Sequence, residues 1–314
     1  MFELTAPPVL PFDVIGHIID ILFNDGTEGL QYVKDFSLVC HSFLPLCRKH
    51  IFSCISINMG FPRNYDKGEA FGRLLLESPD IAIYVRKLKI YIKSSNSHFL
   101  VSFPVLPLTM LQSLTISYCG YPYLVADWAK LPSSTQRSFV NLMHLPTLTH
   151  LDLKRISGFP ISNICTNIKH LFLRELDIID DEATSLPLWR KSMKLQTLHI
   201  SYSNFDLEWG GLSSPTQRSL VNLMHLPTLT HLYLKGISGF PISNFNVCTN
   251  IKHLFLREFD IIDDETTSLP LCCKSMKLQT LHISISLETR RSIIQDILRK
   301  IQQLEDLSLQ IDGM

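Results

Sequence analysis

Apolar residues recur along this chain in one figure, L-x-x-L-x-L, whose second half alternates as a half-buried strand does. The runs are Val85-x-x-Leu88-x-Ile90, Leu111-x-x-Leu114-x-Ile116, Leu148-x-x-Leu151-x-Leu153, Ile168-x-x-Leu171-x-Leu173 and Leu195-x-x-Leu198-x-Ile200. They continue as Leu229-x-x-Leu232-x-Leu234, Ile251-x-x-Leu254-x-Leu256, Leu278-x-x-Leu281-x-Ile283 and Leu304-x-x-Leu307-x-Leu309. One such strand cannot bury its apolar face alone, but stacked copies share a continuous core. The pattern therefore predicts parallel strands, one per rung, with the return segments on the other side. Residues 136–143 predict a helix, with Phe139, Val140 and Met143 on one side and Pro146 stopping it. Ser157-Gly158-Phe159-Pro160 predicts a loop.

The first sixty residues follow a different period. Ile15, Ile18, Ile19 and Leu22 fall at i, i+3, i+4, i+7, behind Pro11 and Asp13, which suit the first turn of a helix. A break at residues 24–29 precedes a second helical stretch through Leu30, Val33 and Phe36. A third carries Val39, Phe43 and Leu46, with Arg48, Lys49 and His50 near its end. About 45 residues are too few for a full private core. Either the rest of the chain or another chain should cover part of this surface.

The second half is a duplication. Residues 135–163 return as 216–244, and 165–201 return as 248–284, with 59 of 66 aligned positions identical. The central leucines of successive rungs lie 26, 37, 20, 27, 34, 22, 27 and 26 residues apart. Most of these spacings fall in the window of leucine-rich repeats, which the runs resemble from about Tyr84 to Ile311. The family's usual Asn or Cys after the strand is missing. Ile156, Leu176, Ile237 and Phe259 stand there, so the turns must close differently.

Composition narrows the reading. The 29 basic and 29 acidic residues balance, and nothing in that balance argues for nucleic acid or an anionic membrane. Residues 94–126 carry no charge, but Pro104, Pro107, Gly120 and Pro122 break any spanning helix. The start of the chain shows no secretory pattern. Eight irregularly spaced cysteines, with Cys272 and Cys273 adjacent, suit buried reduced thiols of a cytoplasmic or nuclear protein.

The N-terminal residues Leu10-Pro11-x-Asp13-Val14-Ile15-x-x-Ile18-Ile19-x-x-Leu22 and Ser37-Leu38-Val39-Cys40-x-Ser42-Phe43-x-x-Leu46 resemble the F-box motif. The tail Cys47-Arg48-Lys49-His50-Ile51-Phe52 is similar to the version in large fungal F-box families, with His41 where Arg is more usual. The resemblance implies an α/β chain: a three-helix F-box over residues 1–60, then a leucine-rich-repeat solenoid over 61–314, with strands on the concave face and helices and loops outside. It further implies the substrate-recognition subunit of a cullin–RING (SCF-type) ubiquitin ligase. Leu10, Pro11, Ile15, Ile18, Ile19, Leu22, Val39 and Cys40 would face a Skp-type adaptor, and the repeats would hold a protein substrate. The alternative is a scaffold outside the ubiquitin system, whose N-terminal helices only cap the solenoid.

Residues flanking the inward leucines should form three outward columns. The first holds His150, His170, Thr197, His231, His253 and Thr280. The second holds Asp152, Phe172, His199, Tyr233, Phe255 and His282, and the third Lys154, Arg174, Ser201, Lys235, Arg257 and Ser284. Lys87, Lys89 and Tyr91 precede them in the same places. An aromatic, histidine-rich, basic strip with few carboxylates is expected to bind an acidic or phosphorylated protein segment. Stacked histidines without a Cys or Asp shell do not make a closed metal site, so no metal or cofactor is expected. Their mutual repulsion when protonated would make binding depend on pH. The acidic runs at 180–182 and 263–265 lack the glycine and alternation of a calcium loop and read as solvated turns. No nucleotide-binding, hydrolase or protease motif is present, and the chain is not expected to be an enzyme.

Overall fold

A computed structural model describes residues 10–24, 28–59, 65–92, 108–120, 125–176, 178–179, 192–202, 208–241, 244–245, 248, 250–262, 278–286 and 306–312. Three helices open the chain: α1 (Phe12–Phe23), α2 (Gly29–Ser37) and α3 (Leu44–Ile51). Each leucine run then becomes a strand: β2 (Lys87–Ile92), β3 (Ser113–Tyr118), β4 (His150–Lys154), β5 (His170–Arg174) and β6 (Thr197–Ser201). The later runs form β7 (His231–Pro241), β8 (His253–Ile262), β9 (Thr280–Ser286) and β10 (Asp306–Asp312). An additional strand, β1 (Cys54–Met59), precedes them. The ten strands form one sheet in chain order, every neighbouring pair parallel.

The sequence predicts helices throughout residues 1–60, yet β1 lies inside that span and pairs with β2, Ile55 opposite Leu88 and Ile57 opposite Ile90. Its run, Phe52-x-x-Ile55-x-Ile57, is the same figure written with Phe and Ile. β-Branched residues hold a strand at least as well as leucine does.

The parallel register carries each inward leucine beside the next. Leu88, Leu114, Leu151, Leu171, Leu198, Leu232, Leu254 and Leu281 are buried, as are the apolar residues two further on. Burying one such side chain stabilises by about 1.5–3 kcal/mol, and a single core runs from Ile57 to Ile283. Its outer layer includes α4 (Ser133–Met143) and α5 (Ser214–Met224), equivalent helices of the two copies. Phe139 and Met143 are buried there, as the helical spacing predicts.

The duplication reaches further back than its near-identical residues. Trp128 meets Phe159 edge-on at 4.8 Å, and Trp209 meets Phe240 at 4.6 Å. Gln136 Nε2 donates to the carbonyls of Trp128 and Leu131, and Gln217 Nε2 to those of Trp209 and Leu212.

The turns after the strands close without asparagine. Arg155, Glu175, Gly236 and Glu258 take positive φ of 57°, 50°, 67° and 49°. This left-handed step turns the next residue inward, and Ile156, Leu176 and Ile237 plug the core at 0–2% exposure. At Gly236 only glycine fits, because a Cβ there would lie 2.3 Å from the Tyr202 carbonyl oxygen.

The N-terminal helices enclose a second, smaller cluster of Ile19, Val33 and Cys47. Asp20 ties α1 to α3 by accepting from Lys49 Nζ at 2.9 Å and His50 Nε2 at 2.8 Å. These contacts hold the Asp20 carboxyl below its usual range, the Lys49 hydrogen bond being the largest cause. Arg48 reaches Asp80 at 3.0 Å, and Arg86 and Lys87 donate backbone N–H to Ser53, joining the helices to the first rungs. Among the described residues no helix is long and apolar enough to cross a membrane, and none of the six described cysteines is in a disulfide. The acidic runs, Cys272 and Cys273 lie outside the described residues, as does the stretch whose Ile293, Ile294, Ile297, Leu298 and Ile301 have the spacing of an amphipathic helix.

Candidate interaction surfaces

Helix α1 is apolar on both sides. Ile15, Ile19 and Leu22 face the small core, whereas Val14, Ile18 and Ile21 are exposed at 39%, 36% and 57%. Ile19 is therefore corrected from an adaptor-facing position to a core one: it is 0% exposed, packed with Val33 and Cys47. Ile15 and Leu22 are half-buried against the same core. Leu10, Pro11, Ile18, Val39 and Cys40 do reach solvent. Phe12, Val14, Ile21 and Leu38 join them, and the figure Val14-Ile18-Ile21 (i, i+4, i+7) is the signal that finds this second face. Leu38 at 85% and Val39 at 70% are the most exposed large apolar residues among those described. The Cys40 thiol is lowered from its usual range, first by a backbone hydrogen bond from Ser42.

The three sequence columns stand in register on the open face of the sheet, except that Ser284, at the end of the third, is buried rather than outward as expected. In the second column the rings form a ladder. Phe172 and His199 lie 5.6 Å apart, His199 and Tyr233 5.5 Å, Tyr233 and Phe255 4.3 Å, and Phe255 and His282 5.9 Å. Tyr233 and Phe255 are within 5° of parallel. Burial pushes the His199 imidazole down to about 4, with the charges of Arg174 and Lys235 adding to it. It raises the Tyr233 phenol.

The first column stacks imidazoles in pairs, His150 on His170 at 4.2 Å and His231 on His253 at 4.3 Å. Each Nδ1 meets a threonine hydroxyl: Thr149, Thr197, Thr230 and Thr280 at 2.9–3.1 Å. Desolvation lowers His150, His170 and His231 below their ordinary value. Lys87 and Lys169 add to it at His150, and Lys252 at His231.

The third column is less free than the sequence suggests. Arg174 Nε sits 3.3 Å from Asp152 Oδ1 and lies over the Phe172 ring. Lys235 and Arg257 both reach Glu258, at 3.5 and 3.4 Å, and Arg155 pairs with Glu175. The expectation of few carboxylates is corrected here. Glu175 and Glu258 occupy the left-handed turn positions, from which Glu258 meets Lys235 and Arg257 of the basic column and Glu175 meets Arg155 of the preceding turn. Lys154 is half-exposed at the same edge. Among the described residues no cluster of three or more His, Cys, Asp or Glu could hold a metal ion.

No family model matches the chain, and no curated protein matches it. The crystal structure of Listeria monocytogenes InlP is similar to it at a TM-score of 0.42 and 14% identity, over 78% of this chain and 63% of that one. The chain thus aligns with less than two thirds of InlP.

Proposed function

We propose that this chain is the substrate-recruiting subunit of an SCF-type ubiquitin ligase, its N-terminal helices docking a Skp-type adaptor and its repeats holding a protein client. The observation that carries this reading is the apolar surface left open on those helices. Leu10, Phe12, Ile21, Leu38 and Val39 are more than half exposed, outside both cores. Contiguous apolar side chains on a small helical unit cost solubility unless a partner covers them. The motif resemblance names that partner, and the reading places the chain in the cytosol or nucleus. The chemistry then belongs to other subunits, and this chain supplies proximity.

A second reading, a scaffold whose helices only cap the solenoid, is favoured by the Arg48–Asp80 ion pair and by the direct passage from α3 into β1. One experiment separates the two. The full chain, co-expressed with a Skp-type adaptor, is expected to co-elute with it, and Leu38→Asp with Val39→Asp is expected to abolish co-elution. Failure of the parent chain to co-elute removes the ligase reading and leaves the scaffold.

A further inference from the structure

The basic groups on the open face differ in whether charge is balanced nearby. At the C-terminal ends of the strands carboxylates stand among the cations: Asp152 pairs with Arg174 and feels the charges of Lys154 and Lys89, and Lys235 and Arg257 share Glu258. The N-terminal ends are different. From β2 to β9 the first column reads Lys87, Ser113, His150, His170, Thr197, His231, His253 and Thr280. The residues just before it read Arg86, Gln112, Thr149, Lys169, Gln196, Thr230, Lys252 and Gln279. From β2 to β9 neither row contains a carboxylate; the first column meets one on β10, where Asp306 stands in register with Thr280. Lys87, Lys169 and Lys252 are all exposed, and among the described residues none pairs with an acidic group.

The three lysines recur at a regular interval across the sheet. Lys87 lies on β2 in the first column, and Lys169 and Lys252 enter β5 and β8 one position before it, so each is three strands from the next. At about 4.8 Å per strand they stand about 14 Å apart, which an extended chain spans in about four residues. Between them stand the stacked imidazole pairs His150–His170 and His231–His253.

We propose that this N-terminal edge, marked by Lys87, Lys169 and Lys252, docks an extended Asp/Glu-rich segment of a partner protein running across the strands, with carboxylates about four residues apart. The proposal deepens the proposed function and rests on it for the partner being a protein client. Uncompensated positive charge selects an anionic partner. The stacking uses the imidazole faces on each other and the threonine hydroxyls take Nδ1, which leaves the Nε2 edges for carboxylate oxygens.

The test uses the full chain and a fluorescent peptide of about ten residues carrying glutamate at every fourth position in a serine–glycine background. Anisotropy at neutral pH is expected to show binding that weakens with added salt and falls about tenfold or more in Lys87→Glu/Lys169→Glu/Lys252→Glu. Arg257→Glu, at the opposite edge, is expected to bind as the parent does. A serine triple variant at the same lysines keeps the test readable should charge reversal disturb the sheet. Absence of binding, equal binding by both triple variants, equal binding of a lysine-for-glutamate peptide, or tighter binding of a single-stranded oligonucleotide overturns the proposal. Adaptor co-elution is a separate measurement, so failure of the ligase reading and failure of this one are told apart.

Discussion

The imidazole of His150 stacks on that of His170 across two neighbouring strands, ring centroids 4.2 Å apart and 23° from parallel. The charges around this pair are Lys87 from β2 and Lys169 at the entry to β5, with His231 further along the column. Charging both rings at this separation is unfavourable and adds to desolvation, so the fold favours their neutral forms.

That neutrality has a consequence for stability. His150, His170, His199 and His231 all titrate below 6.5 in the folded chain, mainly through desolvation, His199 at about 4. The unfolded chain takes up protons first as pH falls. The stability these groups contribute is whole above pH 6.5 and is lost on descending from there to the folded values. Melting temperature is therefore expected to drop between pH 7 and 4, and His199→Phe to flatten the drop by roughly 2 kcal/mol after allowance for solvent screening. Calorimetry across that range checks it; a parent curve independent of pH contradicts it.

The copies differ at one turn. Arg155 in the first copy adopts φ 57°, whereas the second has Gly236 at φ 67°, facing the Tyr202 carbonyl. Gly236→Ala is expected to destabilise by about 1–3 kcal/mol, since the left-handed conformation and a backbone clash act together. Arg155→Gly loses the pair with Glu175 but relieves the backbone, and is expected to change stability by less than about 1 kcal/mol. Denaturant midpoints of the two variants decide this.

A second difference between copies lies at Asp152, whose counterpart is Tyr233. Burial raises the Asp152 carboxyl despite Arg174, Lys154 and Lys89, so its charged form costs stability at neutral pH. Asp152→Tyr would extend the ring ladder beyond Phe172 and is expected to stabilise by about 0.5–1.5 kcal/mol. A lowered melting temperature would show that the Arg174 ion pair outweighs both effects.

The helical unit gives a paired prediction. Ile19→Ala removes a fully buried side chain from a three-residue core and is expected to cost about 2–5 kcal/mol locally. Hydrogen exchange should accelerate in α1 to α3 and stay unchanged in the sheet. Ile21→Ser, at an exposed position on the same helix, is expected to stay within about 0.5 kcal/mol of the parent.

Much of this was legible in the residues because a strand alternates with period two. Once Leu151 and Leu153 are inward, His150, Asp152 and Lys154 must point the other way. Helix α1 was harder to read: Ile15, Ile18, Ile19 and Leu22 form one plausible stripe, but Val14, Ile18 and Ile21 form another. Periodicity cannot choose between two apolar faces of one helix. β1 escaped because Phe52, Ile55 and Ile57 replace the leucines.

The amino-acid sequence alone determined the stack of parallel strands, its duplication, and which residues line the open face. Those depend on local alternation, which is written into neighbouring positions. Only the tertiary structure decided that Ile19 is core, that Arg174 and Arg257 have a carboxylate beside them, and that Lys87, Lys169 and Lys252 have none among the described residues. Whether a cation is balanced depends on which rung and turn bring a carboxylate beside it. Asp152 and Arg174 lie 22 positions apart along the chain, and only strand pairing brings them 3.3 Å from each other.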